Sequence, residues 1–272
     1  MERLDTERPG WAPPEVDIDT PSIARVYDYW IGGTHNFPVD RELAHRVSAG
    51  NPDIVATLRA NRAFLRRAVR ELSALGIRQF LDIGSGIPAE GNVHDVALGA
   101  HPDSTVVYVD IDPVAVAHGR ALLADEPRAA VFQGDLYKSR EILTADDTRR
   151  LIDFDRPVAL ILAAVLHFVP DGDDPRELIR QYTEPLAPGS ALVVSHAGAD
   201  EVPQAAPEAA EQYRGAVSQV IWRSRDEVDA LFEGFDLLPP GVLRAPLWRP
   251  EPGEQPDPEL AMLAGVAIKP AG

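Results

Sequence analysis

Cysteine is absent from the sequence, and its absence excludes several kinds of chemistry. The 272 residues can form no disulfide, thiolate metal site or cysteine nucleophile. Long apolar runs are absent too, since no charge-free stretch reaches the roughly 18–20 residues that a bilayer crossing needs. Residues 1–10 are charged and lack an apolar stretch, so we expect no secretory signal. Together these absences favour a cytoplasmic protein.

Positive charge is scarce. The sequence has 26 lysines and arginines against 43 aspartates and glutamates, which gives a formal net charge of -17. A protein this acidic is repelled from nucleic acids and from anionic lipid surfaces, so we expect neither as a partner. The composition, with 45% hydrophobic and 25% charged residues, is otherwise ordinary for a globular protein and predicts one large domain with an appendage.

The N-terminal quarter shows two helical patterns behind a polar stretch. Residues 1–18 are polar and rich in proline, which predicts a flexible arm. Thr20-Pro21 is typical of a helix start. Asn51-Pro52-Asp53 predicts a second start, with a capping residue, a first-turn proline and an acid. Helically spaced apolar residues follow each start, so we predict a helical cap or lid over residues 19–76.

From residue 77 onward, short apolar runs alternate with helical stretches. The first five runs are residues 80–83, 106–109, 130–132, 158–162 and 191–194. Such runs are typical of a parallel sheet covered on both faces. Two later runs, 235–238 and 263–268, have no helix between them and predict an antiparallel addition at one sheet edge, separated by a proline-rich surface loop over 244–258. We predict a doubly wound, Rossmann-like α/β domain over residues 77–272 with a mostly parallel seven-stranded sheet.

A glycine-containing turn follows the first predicted strand. In Asp82-Ile83-Gly84-Ser85-Gly86 the glycines allow a sharp turn and let a ligand approach the main chain. A tight strand-to-helix turn without a ligand gives the same pattern, so the glycines alone decide little. Ligands of doubly wound folds nevertheless lie outside the carboxyl ends of the strands, where this turn belongs.

Acidic residues stand at the ends of three successive strands. Asp82 precedes the first glycine, Asp110 ends the second strand and Asp135 follows the third. Asp110 can accept hydrogen bonds from both hydroxyls of a ribose, with Asp112 as the competing candidate, although Asp112-Pro113 also fits a helix start. Asp135 can accept from an adenine amino group. A helix cap or a solvated loop explains any one acid alone, but three on one rim favour a shared ligand.

The chemistry around the turn favours a cationic ligand over a phosphate. Gly84-x-Gly86-x-x-Ala89 matches the dinucleotide fingerprint, which keeps an NAD-dependent oxidoreductase as an alternative. Against a dinucleotide, Pro88 lacks the N–H that a phosphate-binding helix start would offer, and Asp82 puts a negative charge beside any phosphate. S-adenosylmethionine has no phosphate and carries an amino group and a sulfonium, which Asp82 would attract directly or through water.

These motifs resemble those of class I S-adenosylmethionine-dependent methyltransferases, in the glycine motif 81–86 and the acids Asp110 and Asp135. More narrowly, the chain resembles an actinobacterial family called S-adenosyl methyltransferase, formerly described as a domain of unknown function. Further segments that carry this resemblance are 21–30, 32–33 with Asn36, 61–65, 80–88, 91–94, 108–110 with 112–113, 166–171, 186–190, 239–241 and 248–250. Pro88 departs from the wider class, where a third glycine is usual, and leaves the path of the turn open.

The resemblance implies S-adenosylmethionine as the cofactor and a set of residues that bind it. The glycine turn would contact the amino-acid portion of the donor, the second-strand acid the ribose, and the third-strand acid and its successor the adenine. Two small residues after the fourth strand would leave room for the ligand. The implied set is Asp82, Gly84, Ser85, Gly86, Asp110, Asp112, Asp135, Leu136, Ala163 and Ala164.

Candidates for contact with a methyl acceptor lie in two places. His167 follows the fourth strand, and an ordinary histidine pKa of about 6.5 suits a general base. A histidine bonded to a loop carbonyl is an equal alternative, and His196 is a second candidate. Polar and aromatic residues near the N-terminus would belong to a lid over the site, although they also fit a helix packed on the sheet edge. These lid residues are Arg25, Tyr27, Tyr29 and Asn36.

The favoured function is an S-adenosylmethionine-dependent methyltransferase that acts on a small-molecule acceptor at oxygen or nitrogen. A non-catalytic S-adenosylmethionine-binding regulator is the alternative, because no base is compelling, and an NAD-dependent oxidoreductase is the third. Asn61 and Arg62 interrupt an apolar helix face and fit either solvent or the cavity. No histidines have paired metal spacing, so we predict no metal site. The acceptor and the oligomeric state stay open.

Overall fold

Three helices precede the sheet: α1 (Ile23–Ile31), α2 (Pro38–Gly50) and α3 (Ile54–Ala74). The computed structural model describes residues 9–12, 14, 16–89, 91–199 and 220–271. Of the predicted arm over residues 1–18, residues 1–8, 13 and 15 therefore lie outside the described residues. Within it, Ala12 and Val16 are buried in a small apolar cluster with Phe37 and Val114.

Helix α2 is not predicted by the sequence patterns, which also place the start of α3 too early. Asn51 directly follows the last residue of α2, and Asp53 rather than Asn51 precedes α3. The start of α2 depends on a carboxylate within the helix, because Asp40 accepts a hydrogen bond from the Phe37 N–H at 2.8 Å. In a capping box, the side chain of the third helical residue accepts from the N–H of the residue before the helix, as Asp40 does here. A search for a capping side chain in front of the helix overlooks this contact.

The remaining elements alternate as the sequence predicts. In chain order they are β1 (Gln79–Ile83), α4 (Val93–Ala100), β2 (Thr105–Asp110), α5 (Pro113–Leu122), β3 (Ala129–Gln133), α6 (Ser139–Thr144), α7 (Asp146–Leu151), β4 (Val158–Ala163), α8 (Pro175–Thr183), β5 (Ala191–Ala197), α9 (Arg225–Asp229), β6 (Asp236–Leu237), β7 (Leu243–Arg244) and β8 (Met262–Ile268). Short 3-10 turns occur at Leu166–Phe168, Asp171–Asp173, Ala230–Phe232 and Ala245–Leu247. In the part of the chain that the structure describes, no helix has the length and apolar character that a bilayer crossing requires.

The sheet has the order β3-β2-β1-β4-β5-β8-β6, and β7 also pairs with β8. Strands β1 to β5 run parallel, while β8 runs antiparallel to β5 and carries β6 and β7. The predicted doubly wound, mostly parallel α/β fold is confirmed. The sheet has eight strands rather than seven, since the two-residue β7 adds to the predicted edge pair. The strand order reverses between β1 and β4, and ligands of such folds bind at this point.

Two apolar cores lie on opposite faces of the sheet, because successive side chains of a strand point to opposite sides. Phe80 packs in the core that includes Phe64 and Leu72 of α3, while Leu81 packs in the other core with Leu178 of α8. Both faces are therefore covered, as parallel sheets require.

The proline-rich stretch 244–258 is not wholly the surface loop that its composition predicts. Its first part turns inward: Ala245 and Trp248 are fully buried. Arg67 of α3 donates hydrogen bonds to the Ala245 carbonyl at 2.7 Å and to the Trp248 carbonyl at 2.9 Å, and the Phe64 ring meets the Trp248 ring edge-on at 5.3 Å. The later part, residues 250–258, is exposed as predicted, apart from the half-buried Pro256.

Candidate functional site

A cavity of about 530 Å³ opens at the carboxyl ends of β1 to β4, between them and helices α1 and α3. Its volume suits a ligand of cofactor size. All ten residues that the sequence predicts for donor binding line it: Asp82, Gly84, Ser85, Gly86, Asp110, Asp112, Asp135, Leu136, Ala163 and Ala164. Their binding role stays a prediction, but the fold brings them to one cavity as a shared ligand requires.

Asp82 is the most unusual of these residues electrostatically. Asp82 is only 4% exposed, and its carboxylate accepts no hydrogen bond from the described residues. Burial raises the pKa of Asp82 to about 7, with a further increase from Asp110, while the charge of Arg62 acts in the opposite direction. A buried carboxylate without a donor is costly, so this group is suited to a ligand that brings N–H donors or positive charge.

The glycine turn has the left-handed backbone that its sequence predicts. Gly84 has φ +72° and Gly86 has φ +68°. A Cβ atom on Gly84 would lie 2.6 Å from Cγ2 of Val165, so no side chain fits there, whereas the same position on Gly86 faces open space. The turn is held to β2, because the Gly84 N–H donates to the Val109 carbonyl at 2.8 Å.

Asp110 organises this turn as well as facing the cavity. One carboxylate oxygen accepts from the Gly86 N–H at 2.7 Å, and the other accepts from the Asp112 N–H at 2.8 Å. Burial nevertheless raises the pKa of Asp110 to about 6. Each carboxylate oxygen has a second lone pair, so ribose hydroxyls could still donate to it.

Asp112 has the helix-capping role that the sequence offered as its alternative. Its carboxylate accepts from the Val114 N–H of α5 at 2.7 Å and from the hydroxyl of Ser22, which precedes α1. Asp112 therefore ties the N-terminal helices to the rim of the cavity. It competes less well than Asp110 for a ribose, because both of its oxygens serve the protein's own structure.

The loop after β3 forms the outer wall of the cavity. Asp135 accepts a hydrogen bond from the Tyr137 N–H at 3.0 Å, and the Leu136 carbonyl accepts from the Tyr182 hydroxyl at 2.7 Å. Ile111 and Tyr137 also line this wall and are unusually exposed for large apolar side chains. They were not predicted, because nothing in a sequence distinguishes an exposed apolar side chain beside a cavity from one on any loop.

Two alanines close the inner wall at the end of β4, Ala163 as its last residue and Ala164 directly after it. Ala164 has φ +57°, a conformation that costs energy in any residue with a side chain and is enriched at functional sites. Its N–H donates to the Ser195 hydroxyl of β5 at 2.9 Å, which holds the bend in place. The small side chains at Ala163 and Ala164 leave space there, as the sequence suggests.

His167, which the sequence offers as a general base, is not among the described residues that line the cavity, so that role stays a prediction. After Ala164 the chain enters a 3-10 turn that buries His167, 7% exposed, and brings Phe168 and Val169 to the cavity instead. Its ring lies 5.7 Å from that of His196, and burial holds the pKa of His167 well below its ordinary value.

His196 is no better placed. It is fully buried, and the Arg223 guanidinium donates to its Nε2 at 2.7 Å. Burial lowers its pKa to about 4, so the ring is a neutral part of the core. Neither histidine is among the residues that line the cavity.

Three of the four predicted lid residues serve structure rather than the cavity. Arg25 is buried, donates to the Asp17 carbonyl at 2.8 Å and pairs with Asp40 at 3.3 Å. Tyr29 bonds His45 at 2.7 Å, and Asn36 bonds Asp28 at 2.9 Å. Their lid role stays a prediction, and their observed contacts have one cause: a polar side chain on an amphipathic helix satisfies a neighbouring helix as readily as a ligand.

Tyr27 of α1 does line the cavity, together with Asn61 and Arg62 of α3. The sequence left Asn61 and Arg62 undecided between solvent and the cavity. The signal that marks them is a pair of polar residues on an otherwise apolar helix face. Among the described residues, no group of three or more histidines and acids is arranged to hold a metal ion.

Comparisons with known proteins agree with this architecture. A family model described as S-adenosyl methyltransferase matches residues 9–270. A candidate methyltransferase from Thermobifida fusca YX is 40% identical, with a TM-score of 0.91, over 96% of this chain and 100% of that one. A DUF574 family protein from Streptomyces avermitilis MA-4680 is 39% identical, with a TM-score of 0.89, over 93% of this chain and 99% of that one.

A more distant likeness concerns the fold alone. The N-methyltransferase NodS from Bradyrhizobium japonicum WM9 is 15% identical, with a TM-score of 0.50, over 80% of this chain and 99% of that one. A search of the curated proteins finds no match. The family model matches nearly the whole chain. The structures from Thermobifida fusca and Streptomyces avermitilis likewise share the fold of this chain over almost its full length. The chain therefore belongs to the S-adenosyl methyltransferase family.

Proposed function

We propose that this protein binds S-adenosylmethionine in the cavity at the strand ends and transfers its methyl group to a small-molecule acceptor at oxygen or nitrogen. The observation that carries the proposal is the ring of acids from three successive strands, with the Asp82 carboxylate buried and without a hydrogen-bond donor. A cationic ligand without phosphate complements this ring, whereas the phosphates of NAD would be repelled by it. Family membership supports the same choice.

The residues of the cavity fit such a ligand by their chemistry. Asp82 would hold its amino group, Asp110 would accept from the ribose hydroxyls, and Asp135 with Leu136 would hold the adenine. When bound, S-adenosylmethionine supplies a methyl group that its sulfonium already activates. The protein's own task is then to orient an acceptor and exclude water.

The lining of the cavity restricts the acceptor. No histidine lines it within the described residues, and burial raises the pKa of Tyr27, which makes its hydroxyl a poor proton acceptor near neutrality. We therefore favour acceptors whose oxygen or nitrogen nucleophile needs no protein base. The same observation keeps a non-catalytic S-adenosylmethionine-binding protein as a second candidate. Formation of S-adenosylhomocysteine with a panel of small acceptors would separate the two, because a regulator yields none.

Calorimetric titration with S-adenosylmethionine and S-adenosylhomocysteine tests the proposal directly. We expect both to bind, and we expect Asp110→Ala to weaken binding by about 1–3 kcal/mol, the scale of a lost hydrogen bond to a charged group. Asp112→Ala is the comparison, and unchanged affinity in Asp110→Ala would move the ribose role to Asp112. Absence of binding by the wild-type protein would contradict the proposed function.

A further inference from the structure

The lining of the cavity divides into a charged and an uncharged part. Asp82, Asp110 and Asp135 lie at or just beyond the carboxyl ends of β1 to β3 and form the charged part, which the proposed function assigns to S-adenosylmethionine. The lining that comes from α1 and from the segment after β4 holds no charged side chain within the described ranges, and this uncharged part remains for the acceptor. Its larger side chains are those of Ile23, Tyr27, Val165, Phe168 and Val169.

The cavity as a whole carries an excess of negative charge. The charge of Asp112 is partly offset, because Nε of Arg25 lies 3.9 Å from one of its carboxylate oxygens. In the described lining Arg62 is the only lysine, arginine or histidine, and its guanidinium already donates to the Asn92 Oδ1 at 3.0 Å. One cation thus stands against the three acids of the charged part, so an anionic acceptor such as a carboxylate, a phosphate or a phenolate is repelled.

The uncharged part restricts the nucleophile further. Among its described residues Tyr27 alone has a titratable side chain. Burial raises the pKa of this hydroxyl, so it stays protonated near neutrality and does not act as a base. The acceptor therefore has to present a lone pair without first giving up a proton. Alcohols and phenols do not, and alkyl amines are protonated near pH 7, whereas a pyridine- or imidazole-type ring nitrogen is largely unprotonated there.

These two restrictions point to one class of acceptor. We infer that the acceptor is a neutral aromatic nitrogen heterocycle, which is methylated at a ring nitrogen to give a cationic product. The nitrogen lone pair forms the new bond to the methyl carbon while the electrons of the C–S bond pass to the sulfur, so S-adenosylhomocysteine is formed and no proton moves. The positive charge passes from the sulfur to the heterocycle. The inference rests on the proposed function, because it takes the acids of the charged part to hold S-adenosylmethionine.

The acids of the cavity favour this reaction over one that removes the charge. Attack by a carboxylate or phenolate neutralises the sulfonium and leaves the acids facing a neutral thioether and a neutral product. Attack by a neutral ring nitrogen keeps one positive charge beside them throughout, and a fixed negative field stabilises that charge without rearranging. Tyr27 and Phe168 add two aromatic rings to the uncharged part, and the face of an aromatic ring attracts a cation.

Binding of a matched pair of product analogues tests the inference without turnover. The 1-methyl-3-carbamoylpyridinium cation and neutral 3-methylbenzamide have the same shape and differ by one positive charge. We expect calorimetry on the protein loaded with S-adenosylhomocysteine to show that the cation binds about 10- to 100-fold more tightly. Equal affinities, tighter binding of the neutral compound, or no binding of the cation would overturn the inference.

A charge placed in the uncharged part should reverse this preference. Phe168 is half-buried and lines the cavity, so Phe168→Lys adds a cation there, and Phe168→Met is the matched control without charge. We expect the lysine variant to bind the two analogues within about twofold of each other and the methionine variant to keep a preference for the cation. Binding of S-adenosylhomocysteine shows that each variant is folded, and Ile23→Lys with Ile23→Met repeats the comparison from α1. A folded lysine variant that keeps the full preference would overturn the inference.

Turnover of matched two-ring acceptors is the second test. Isoquinoline, 2-naphthol and 2-naphthoate share one ring system and offer a neutral ring nitrogen, a hydroxyl and a carboxylate. We expect S-adenosylhomocysteine to form from isoquinoline at least about tenfold faster than from the other two. Faster reaction of 2-naphthol or 2-naphthoate would overturn the inference, and reaction of none of the three would overturn it in favour of the non-catalytic candidate.

The inference and the proposed function fail in different ways. Failure of the wild-type protein to bind S-adenosylmethionine and S-adenosylhomocysteine would overturn both together. Binding of both nucleosides without a preference for the cationic analogue, or methylation of 2-naphthol alone, would overturn the inference and leave the proposed function standing.

Discussion

The buried carboxyl groups of Asp82 and Asp110 couple the cavity to pH. Folding removes both from water, which raises the pKa of Asp82 to about 7 and that of Asp110 to about 6. Their charged forms are therefore disfavoured until a ligand brings positive charge or N–H donors. A cationic ligand stabilises the ionised forms, so it binds with release of protons when the pH lies near or below these values.

This linkage predicts that donor affinity falls on acidification. Between pH 8 and pH 5.5 we expect the dissociation constant for S-adenosylmethionine to rise, by about tenfold per pH unit once the pH is below the pKa of one linked group. Calorimetry in buffers of different ionisation enthalpy would detect the released protons. Asp82→Asn should bind more weakly at pH 8 and lose most of this dependence. An affinity independent of pH would show that no buried carboxylate is coupled to the ligand.

The burial of Asp82 is also expected to lower the stability of the ligand-free protein, although the same carboxylate favours binding of a cationic ligand. Its folded pKa of about 7 lies above the ordinary value of 3.8, so the folded state holds a proton that the unfolded state releases. The free energy of unfolding therefore falls as the pH rises from about 4 to 7, and it stays reduced above pH 7.

Asp82→Asn removes this cost without changing the size of the side chain. We expect the ligand-free variant to be more stable at pH 8, on the order of a few kcal/mol, and to differ little from the wild type at pH 4. Thermal unfolding followed by circular dichroism at both pH values measures this difference. A variant that is less stable at pH 8 would indicate that the carboxylate has a stabilising partner in the folded protein.

Individual residues were predictable from the sequence where a strand fixed their position, and unpredictable where a helix did. Asp82, Asp110 and Asp135 lie at or just beyond the carboxyl ends of parallel strands, and the ends of such strands meet at one edge. Helical periodicity indicates which residues share a face but not what that face meets. Asn61 could not be assigned for that reason, and His167 does not reach the cavity because a 3-10 turn redirects the chain after β4.

At the scale of elements, the glycine turn between β1 and the next helix depends on two glycines for different reasons. Both have positive φ, which costs about 1–2 kcal/mol in a residue with a side chain. At Gly84 a Cβ would also collide with Val165, whereas at Gly86 it would enter the open cavity. One glycine therefore serves packing, and the other serves access of a ligand to the main chain.

Paired alanine substitutions distinguish these two roles. We expect Gly84→Ala to destabilise the protein by about 2–4 kcal/mol, since overpacking adds to backbone strain. Gly86→Ala should cost only about 1–2 kcal/mol but should weaken binding of S-adenosylhomocysteine more strongly relative to that loss. Chemical denaturation and calorimetry on both variants provide the comparison. Equal stability losses would contradict the collision with Val165.

Elements were predictable wherever hydrophobic periodicity was strong. All five parallel strands and the closing β8 follow apolar runs in the sequence, since the interior of a doubly wound sheet admits little else. Helix α2 was missed because its capping group, Asp40, lies inside the helix. The stretch 244–258 was misjudged because proline marks turns, not exposure, and the turn at Ala245 carries Trp248 into the core beside α3.

At the scale of the whole molecule, the N-terminal helices and the sheet share one hydrophobic core. Phe64, Leu65 and Leu72 of α3 lie in the same cluster as Phe80 of β1 and Val193 of β5. The predicted division into an arm, a cap over residues 19–76 and a domain over 77–272 stays untested as an account of function. Physically, a boundary at residue 76 would cut through this core.

A chain restricted to residues 77–271 should therefore fail to fold cooperatively. Removal of α3 exposes the part of one sheet face that lies over β4, β5 and β8, and it takes away Arg67, which holds the buried turn at Ala245 and Trp248. Losing a single large core side chain costs about 3–5 kcal/mol, and here several are lost against a total stability of about 5–15 kcal/mol. We expect a broad thermal transition and dye binding typical of exposed apolar surface, with the full chain as the control.

Addition of residues 1–76 as a separate polypeptide should restore a cooperative transition and binding of S-adenosylhomocysteine. A truncated chain that unfolds cooperatively and binds this ligand as tightly as the full protein would contradict both the shared core and a role for the N-terminal helices in the wall of the cavity.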